Sequence, residues 1–245
     1  MFFSKPGEYK PCGMFTLKHF TLIILTNIAI LVALNYTLKK DVHKIIRRCT
    51  IFVWIYEIII IIFKINTGGI ENVNNYVPLY YCSLLLYAGL LSSFCKGKLK
   101  RIGDVFLATG GIIGGSIFII FPITSVLSYP MFHLVTFHSF IFHGIMVYLG
   151  ILMNVTNYIT LDWADGVYYF EFVIFFCILA YLVNLKFDSN LMFISKNFPG
   201  SFVGLIYNVM GKFFTPTMVL GQAIYPFYMV FGVRYQIEKG RAFEK

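Results

Sequence analysis

Charge is what this sequence has least of. Of its 245 residues only 13% are Asp, Glu, Lys or Arg, and acidic residues are the scarcer sign, 11 against 20 basic ones. A soluble domain carries about a quarter of its residues as charges, so most of this chain is not built to face water. Cysteine is sparse as well. Cys12, Cys49, Cys82, Cys95 and Cys177 form no C-x-x-C pair, and four of them lie within or at the edge of apolar runs. That excludes a disulfide framework. Neither H-x-x-x-H nor H-E-x-x-H occurs, so no metal site and no cofactor is expected. Low-complexity stretches, linkers and internal repeats are missing, which points to a single domain over residues 1–245. The first apolar run follows polar residues and lacks a small-residue cleavage site, so no cleavable signal peptide is expected.

What fills the chain is hydrocarbon, 58% of all residues. A helix needs about 20 apolar residues to cross a bilayer core of about 30 Å. Seven runs meet or approach that length, at 20–38, 49–65, 77–94, 102–121, 130–153, 167–185 and 213–233. The expected fold is therefore an all-α, polytopic seven-helix membrane bundle, with 201–210 as an interfacial or re-entrant segment. The net charge of +9 is not a nucleic-acid signal, because the basic residues sit in connections between apolar runs. There they orient helices against the membrane potential and anionic lipid. With the N-terminus outside, the inner connections and C-terminal tail collect 13 Lys and Arg and the outer ones 7. This gives an N-out, C-in topology. The connection between the fifth and sixth runs fits least, since it should be inside yet carries Asp162 and Asp165 and no basic residue. Abundant Ile, Phe, Tyr, Asn and Lys suggest an AT-rich genome and hence the plasma membrane of a bacterium.

Ionisable residues inside a span are costly and usually face the bundle interior. Here they are Glu57, Cys82, His133, His138, His143 and Glu171, with His19 at the mouth of the first helix and Gln222 as a polar addition. If the third run is helical from Val77, Cys82 lies about 8 Å deep at 1.5 Å per residue. Measured from Pro130, His133 and His138 lie at about 5 and 12 Å and bracket it, while His143 is near 20 Å. Each five-residue step turns a helical side chain by about 140°, so the three histidines cannot share one face. A thiol and an imidazole at matching depth permit nucleophilic catalysis, with the base forming the thiolate. The plainer account is that cysteine fills space and histidines bond across helices. Glu57 reads either as a proton or cation site or as a neutral acid bonded to a neighbouring helix. Glu171, near the predicted inner interface, is expected to reach headgroup water. Gly110, Gly111, Gly114 and Gly115 form two overlapping G-x-x-x-G spacings, which read as close helix packing or as a glycine-lined slot.

Several motifs occur together: Met14 to His19 (MFTLKH), Val77 to Cys82 (VPLYYC), Tyr129-Pro130, His138 to Gly144 (HSFIFHG) and Asn190 to Ile194 (NLMFI). In this order they resemble the YwaF-like bacterial integral membrane proteins, over nearly the whole chain. That family is distantly similar to the eukaryotic transmembrane protein 164, a membrane acyltransferase acting on phospholipids through a cysteine, and more loosely to the androgen-induced lipid hydrolases. The resemblance implies Cys82 as acyl acceptor, with His138 as leading base and His143 as runner-up. His19 matches the pattern as well, whereas Tyr80 stands where the family motif has a histidine. The implied activity is that of a lipid acyltransferase or hydrolase in the outer half of the bilayer. Its expected substrate is a phospholipid or lysophospholipid, with His19, Tyr80, His133, Gln222 and Glu57 as substrate-binding candidates. The alternative is a small transporter or ligand-binding subunit without catalysis.

Overall fold

In the computed structural model the described residues, 1–68 and 71–243, contain nine α-helices and no strand. These are α1 (Leu17–Thr37), α2 (Val42–Gly68), α3 (Leu84–Phe94), α4 (Gly97–Ala108), α5 (Gly110–Ile120), α6 (Leu134–Val155), α7 (Asp165–Phe187), α8 (Phe202–Met210) and α9 (Phe214–Phe243). Five segments are long and apolar enough to cross a membrane: Leu17–Thr37, Gly97–Ile120, Leu134–Val155, Asp165–Phe187 and Phe202–Ile237. The chain is thus an all-helical integral membrane protein. Of the two remaining expected spans, 49–65 lies inside the 27-residue α2. The run 77–94 is helical only from Leu84, with 11 residues in α3.

Burial identifies the axis of the bundle. The apolar stretch of α6 is 78% buried and that of α1 only 17%, so α6 is central and α1 peripheral. Around α6 pack α1, α2, α4 and α5. The expected span 102–121 is broken at Thr109, whose backbone (φ −124°, ψ −73°) separates α4 from α5. Two causes meet there. The Thr109 hydroxyl donates to the Val105 carbonyl at 2.7 Å, a back-bond that bends helices, and Gly110 and Gly111 offer little resistance to a kink.

The α5 glycines serve two neighbours. A Cβ at Gly115 would sit 2.8 Å from the His143 carbonyl and 2.7 Å from Val147 Cγ2 on α6; at Gly111 it would meet the Met146 carbonyl at 3.3 Å. On the adjoining face, Cβ atoms at Gly110 and Gly114 would fall within 2.7 Å of the Tyr81 side chain. Small residues here let α5 approach the backbone of α6, as close packing in lipid requires, and make room for one aromatic ring.

α9 contains Pro226, which has no N–H to give the carbonyl four residues earlier. That carbonyl belongs to Gln222, and the Tyr169 hydroxyl of α7 donates to it at 3.2 Å. The Tyr81 and Tyr169 hydroxyls lie 2.5 Å apart, and Tyr81 also reaches the Gly110 carbonyl at 3.4 Å, so either tyrosine can donate to the other. A proline-freed carbonyl in the bundle is thereby met by one of a pair of tyrosines.

One end of the bundle is basic and tied together. Arg101 of α4 donates to both carboxylate oxygens of Asp165 at 2.7 and 2.5 Å and to the Thr160 carbonyl at 2.6 Å. Arg234 of α9 donates to the Ile159 carbonyl at 2.6 Å and to Asn154 and Asn157. Lys100 bridges Asp104 and Tyr158. The connection between α6 and α7, which lacks basic residues of its own, is held by arginines from α4 and α9. Lys245, counted in the C-terminal tail, lies outside the described residues. At the opposite end the segment before α1 folds back over the start of α6. Leu134 N–H donates to Phe2 O at 3.0 Å and Cys12 N–H to Tyr129 O at 2.9 Å.

Candidate functional site

The site begins just before α3, whose first helical residue is Leu84. Leu84, Leu85 and Leu86 donate their N–H groups to Tyr81, Cys82 and Ser83 carbonyls at 3.0 to 3.2 Å, an i to i+3 pattern of tight turns rather than helix. Cys82 therefore lies in the turn before α3, and its depth does not follow from a helical rise counted from Val77. Its thiol donates to the Gly114 carbonyl of α5 at 3.9 Å, a weak contact. No hydrogen bond joins the thiol to an imidazole among the described residues.

His143 projects from α6 toward the same helix α5. Its ring stacks on Phe118 with centroids 3.6 Å apart and planes 7° from parallel. Phe118 is one turn beyond Gly114, so the thiol contact and the stacked imidazole are spaced about 6 Å along α5. Nδ1 of His143 meets the Ser139 carbonyl at 2.6 Å. A carbonyl can only accept, so Nδ1 carries the proton and Nε2 holds a lone pair. That Nε2 is buried and has no partner.

His138, five residues earlier, is rotated away to face α2. There its Nε2 lies 3.0 Å from Glu57 Oε2. The same nitrogen has no partner by hydrogen-bond geometry, so the two atoms are close without an aligned N–H···O bond. Tyr56 packs edge-on against the ring with centroids 4.7 Å apart. Trp54 Nε1 donates to the Leu86 carbonyl at 3.1 Å, and Thr50 meets Ser93. Following that antiparallel register one turn further along α2 brings Glu57 level with the start of α3 and hence with Cys82.

The other two candidate histidines are engaged on both nitrogens. Nδ1 of His19 accepts from Phe15 N–H at 3.0 Å, so its Nε2 donates to the Ile119 carbonyl at 3.1 Å. His133 caps α6: its Nδ1 accepts from Val135 N–H, and its Nε2 donates to the Ser4 carbonyl at 3.0 Å. Both rings are fully buried and fasten chain segments together. The Tyr80 hydroxyl donates to Asn74 at 3.3 Å, and its ring lies against Phe193. Gln222 uses both amide protons on the Met192 and Met218 carbonyls, which leaves its Oε1 buried and unpartnered. It has no amide proton left for a bound substrate.

Cys82 and His143 thus each touch α5, at Gly114 and Phe118, while Glu57 and His138 meet between α2 and α6. Among the described residues no group of three or more His, Cys, Asp or Glu is arranged to hold a metal ion. Sequence reasoning missed Ser139, whose carbonyl sets the His143 tautomer, and the Tyr81–Tyr169 pair. The first is a backbone carbonyl that any residue at that position would supply, so residue type carries no signal for it. The tyrosine pair leaves no trace in sequence spacing. No curated protein and no solved structure matches the chain. Residues 14–231, which include Glu57, Cys82, His19, His133, His138 and His143, match the TMEM164 family, and the chain belongs to that family.

Proposed function

We propose that the protein is a membrane-embedded lipid acyltransferase or hydrolase in which Cys82 is the nucleophile and His143 the base. The observation that carries this reading is the His143 ring. Its tautomer is fixed by Ser139, its orientation by stacking on Phe118, and its basic Nε2 is buried without a partner. A base held by a third group near a nucleophile is the general logic of activated thiols. Catalytic contacts are often open without substrate. In the proposed reaction His143 Nε2 takes the Cys82 proton, and the sulfur attacks the ester carbonyl of a phospholipid. The ester C–O bond breaks, and the departing lysolipid oxygen takes the proton from the imidazolium. A second hydroxyl, of a lysophospholipid or of water, then gives its proton to His143 and releases the acyl group from sulfur, which recovers a thiol. His138, expected to lead from the sequence, would not face the thiol in this reading. With Glu57 it would instead line the headgroup side of the pocket, as would Tyr80. His19 and His133 would hold the scaffold.

The test is acyl labelling of the purified protein in liposomes containing an alkyne-tagged phospholipid. Labelling should be lost in Cys82→Ala and reduced about 100-fold or more in His143→Gln, with a smaller loss in His138→Gln. Labelling that persists in Cys82→Ala removes the nucleophile from the reading. The alternative, a small transporter, draws on the buried Glu57–His138 pair, since intramembrane carboxylates and imidazoles serve as proton sites. Proton flux into liposomes that Glu57→Gln abolishes, with no acyl label in the wild type, would favour it.

We also propose that α2 and α3 complete seven spans, with the N-terminus outside and the C-terminus inside a bacterial plasma membrane. Support comes from the clustering at one end of Arg101, Lys100 and Arg234 with the α6–α7 connection.

A further inference from the structure

An apolar groove of about 400 Å³, whose lining does not include Cys82, runs between α3, α4 and α7. Tyr87, Leu91, Ile102, Phe172, Phe175 and Phe176 line it. At its mouth, by the turn joining α3 to α4, Lys98 Nζ lies 3.2 Å from Glu171 Oε2, with both side chains more than half exposed. Lys98 also sits over the Tyr168 ring. Lys96 is exposed in the same turn and makes no ion pair among the described residues, and Arg47 lies over Phe94 at the end of α3. The mouth therefore carries an excess of positive charge, with Glu171 as its nearby carboxylate.

We propose that this groove holds one acyl chain of an anionic phospholipid from the surrounding leaflet, with its phosphate on Lys98 and Lys96. A volume of this size is within the roughly 300–1,000 Å³ of ordinary ligand pockets, and the walls are hydrocarbon and aromatic. Basic residues at the membrane surface attract anionic headgroups. A second protein helix in the groove would have to cover the Lys98–Glu171 pair and bear its desolvation. A lipid fills the groove and leaves the pair at the water boundary, where Glu171 competes with the phosphate for Lys98. The proposal does not depend on the acyl-transfer reading, and its test uses no enzymatic activity.

The full-length protein would be reconstituted in nanodiscs of equal phosphatidylglycerol and phosphatidylcholine, and its retained lipids counted by native mass spectrometry. Wild type should retain phosphatidylglycerol preferentially. Lys98→Gln should lower that preference about fivefold, the effect of one cation near a charged surface. Glu171→Gln, which removes the competitor, should leave it equal or raise it. Both substitutions are at exposed positions, so folding is preserved. A preference unchanged by Lys98→Gln, or lowered by Glu171→Gln, overturns the proposal. So does efficient disulfide cross-linking of two copies through Leu90→Cys, which would put a second chain over the groove.

Discussion

An imidazole inside a helical bundle has two nitrogens to satisfy, and the backbone decides which carries the proton. His19 and His133 each accept an N–H at Nδ1 and donate from Nε2; His143 donates from Nδ1 and is left with an unused lone pair. Residue type and depth could not separate these cases, because the deciding partners are carbonyls and amides that every sequence contains. Tyr169 is a residue-scale case of a different kind. Its hydroxyl reaches the carbonyl that Pro226 frees and pairs with the Tyr81 hydroxyl. Tyr169→Phe should leave that buried carbonyl without a donor and lower stability by about 1–3 kcal/mol, read as a reduced Tm in detergent. An unchanged Tm would mean that another donor, such as water, reaches Gln222 O.

At the scale of elements, the apolar runs gave the helices and misjudged their edges. The runs at 20–38, 130–153 and 167–185 correspond closely to α1, α6 and α7, because twenty or so uninterrupted apolar residues leave little choice in lipid. The run at 77–94 did not, since tight turns before Leu84 keep its first residues out of the helix. Hydropathy is blind to that, and a helical rise counted from Val77 therefore does not give the depth of Cys82. The run at 102–121 was legible as a span but not as two helices hinged at Thr109. Its glycines were legible as close packing, and Gly115 is the tightest point toward α6. Gly115→Ala should therefore cost about 1–3 kcal/mol through forced backbone movement. Gly111→Ala, whose nearest neighbour on α6 is at 3.3 Å, should cost less. Chemical denaturation of the two variants side by side checks the order; equal midpoints would show that α5 can slide on α6.

For the whole molecule, the testable property is orientation. Reporters on the two tails should read opposite sides of the membrane, the C-terminal tail on the inside; both tails on one side would refute seven spans. Of the site, the sequence made the Cys82 and histidine positions visible and their grouping invisible. Which histidine faces α5 and which faces α2 depends on the rotation of α6, and that is set by packing against the Gly111–Gly115 face rather than by any residue of the site.

The acidic connection between α6 and α7 has a consequence in time. A chain enters the membrane in the order it is made, and Arg101 precedes Asp165 by 64 residues, while Arg234 follows Ile159 by 75. When Asp165 emerges, its counter-charge is already present on an earlier helix, so the connection need not supply one. The second arginine arrives with the last helix and closes over the same loop. Counted along the sequence this connection has no cation of its own; counted by what the fold brings to it, it has one from an earlier helix and one from the last.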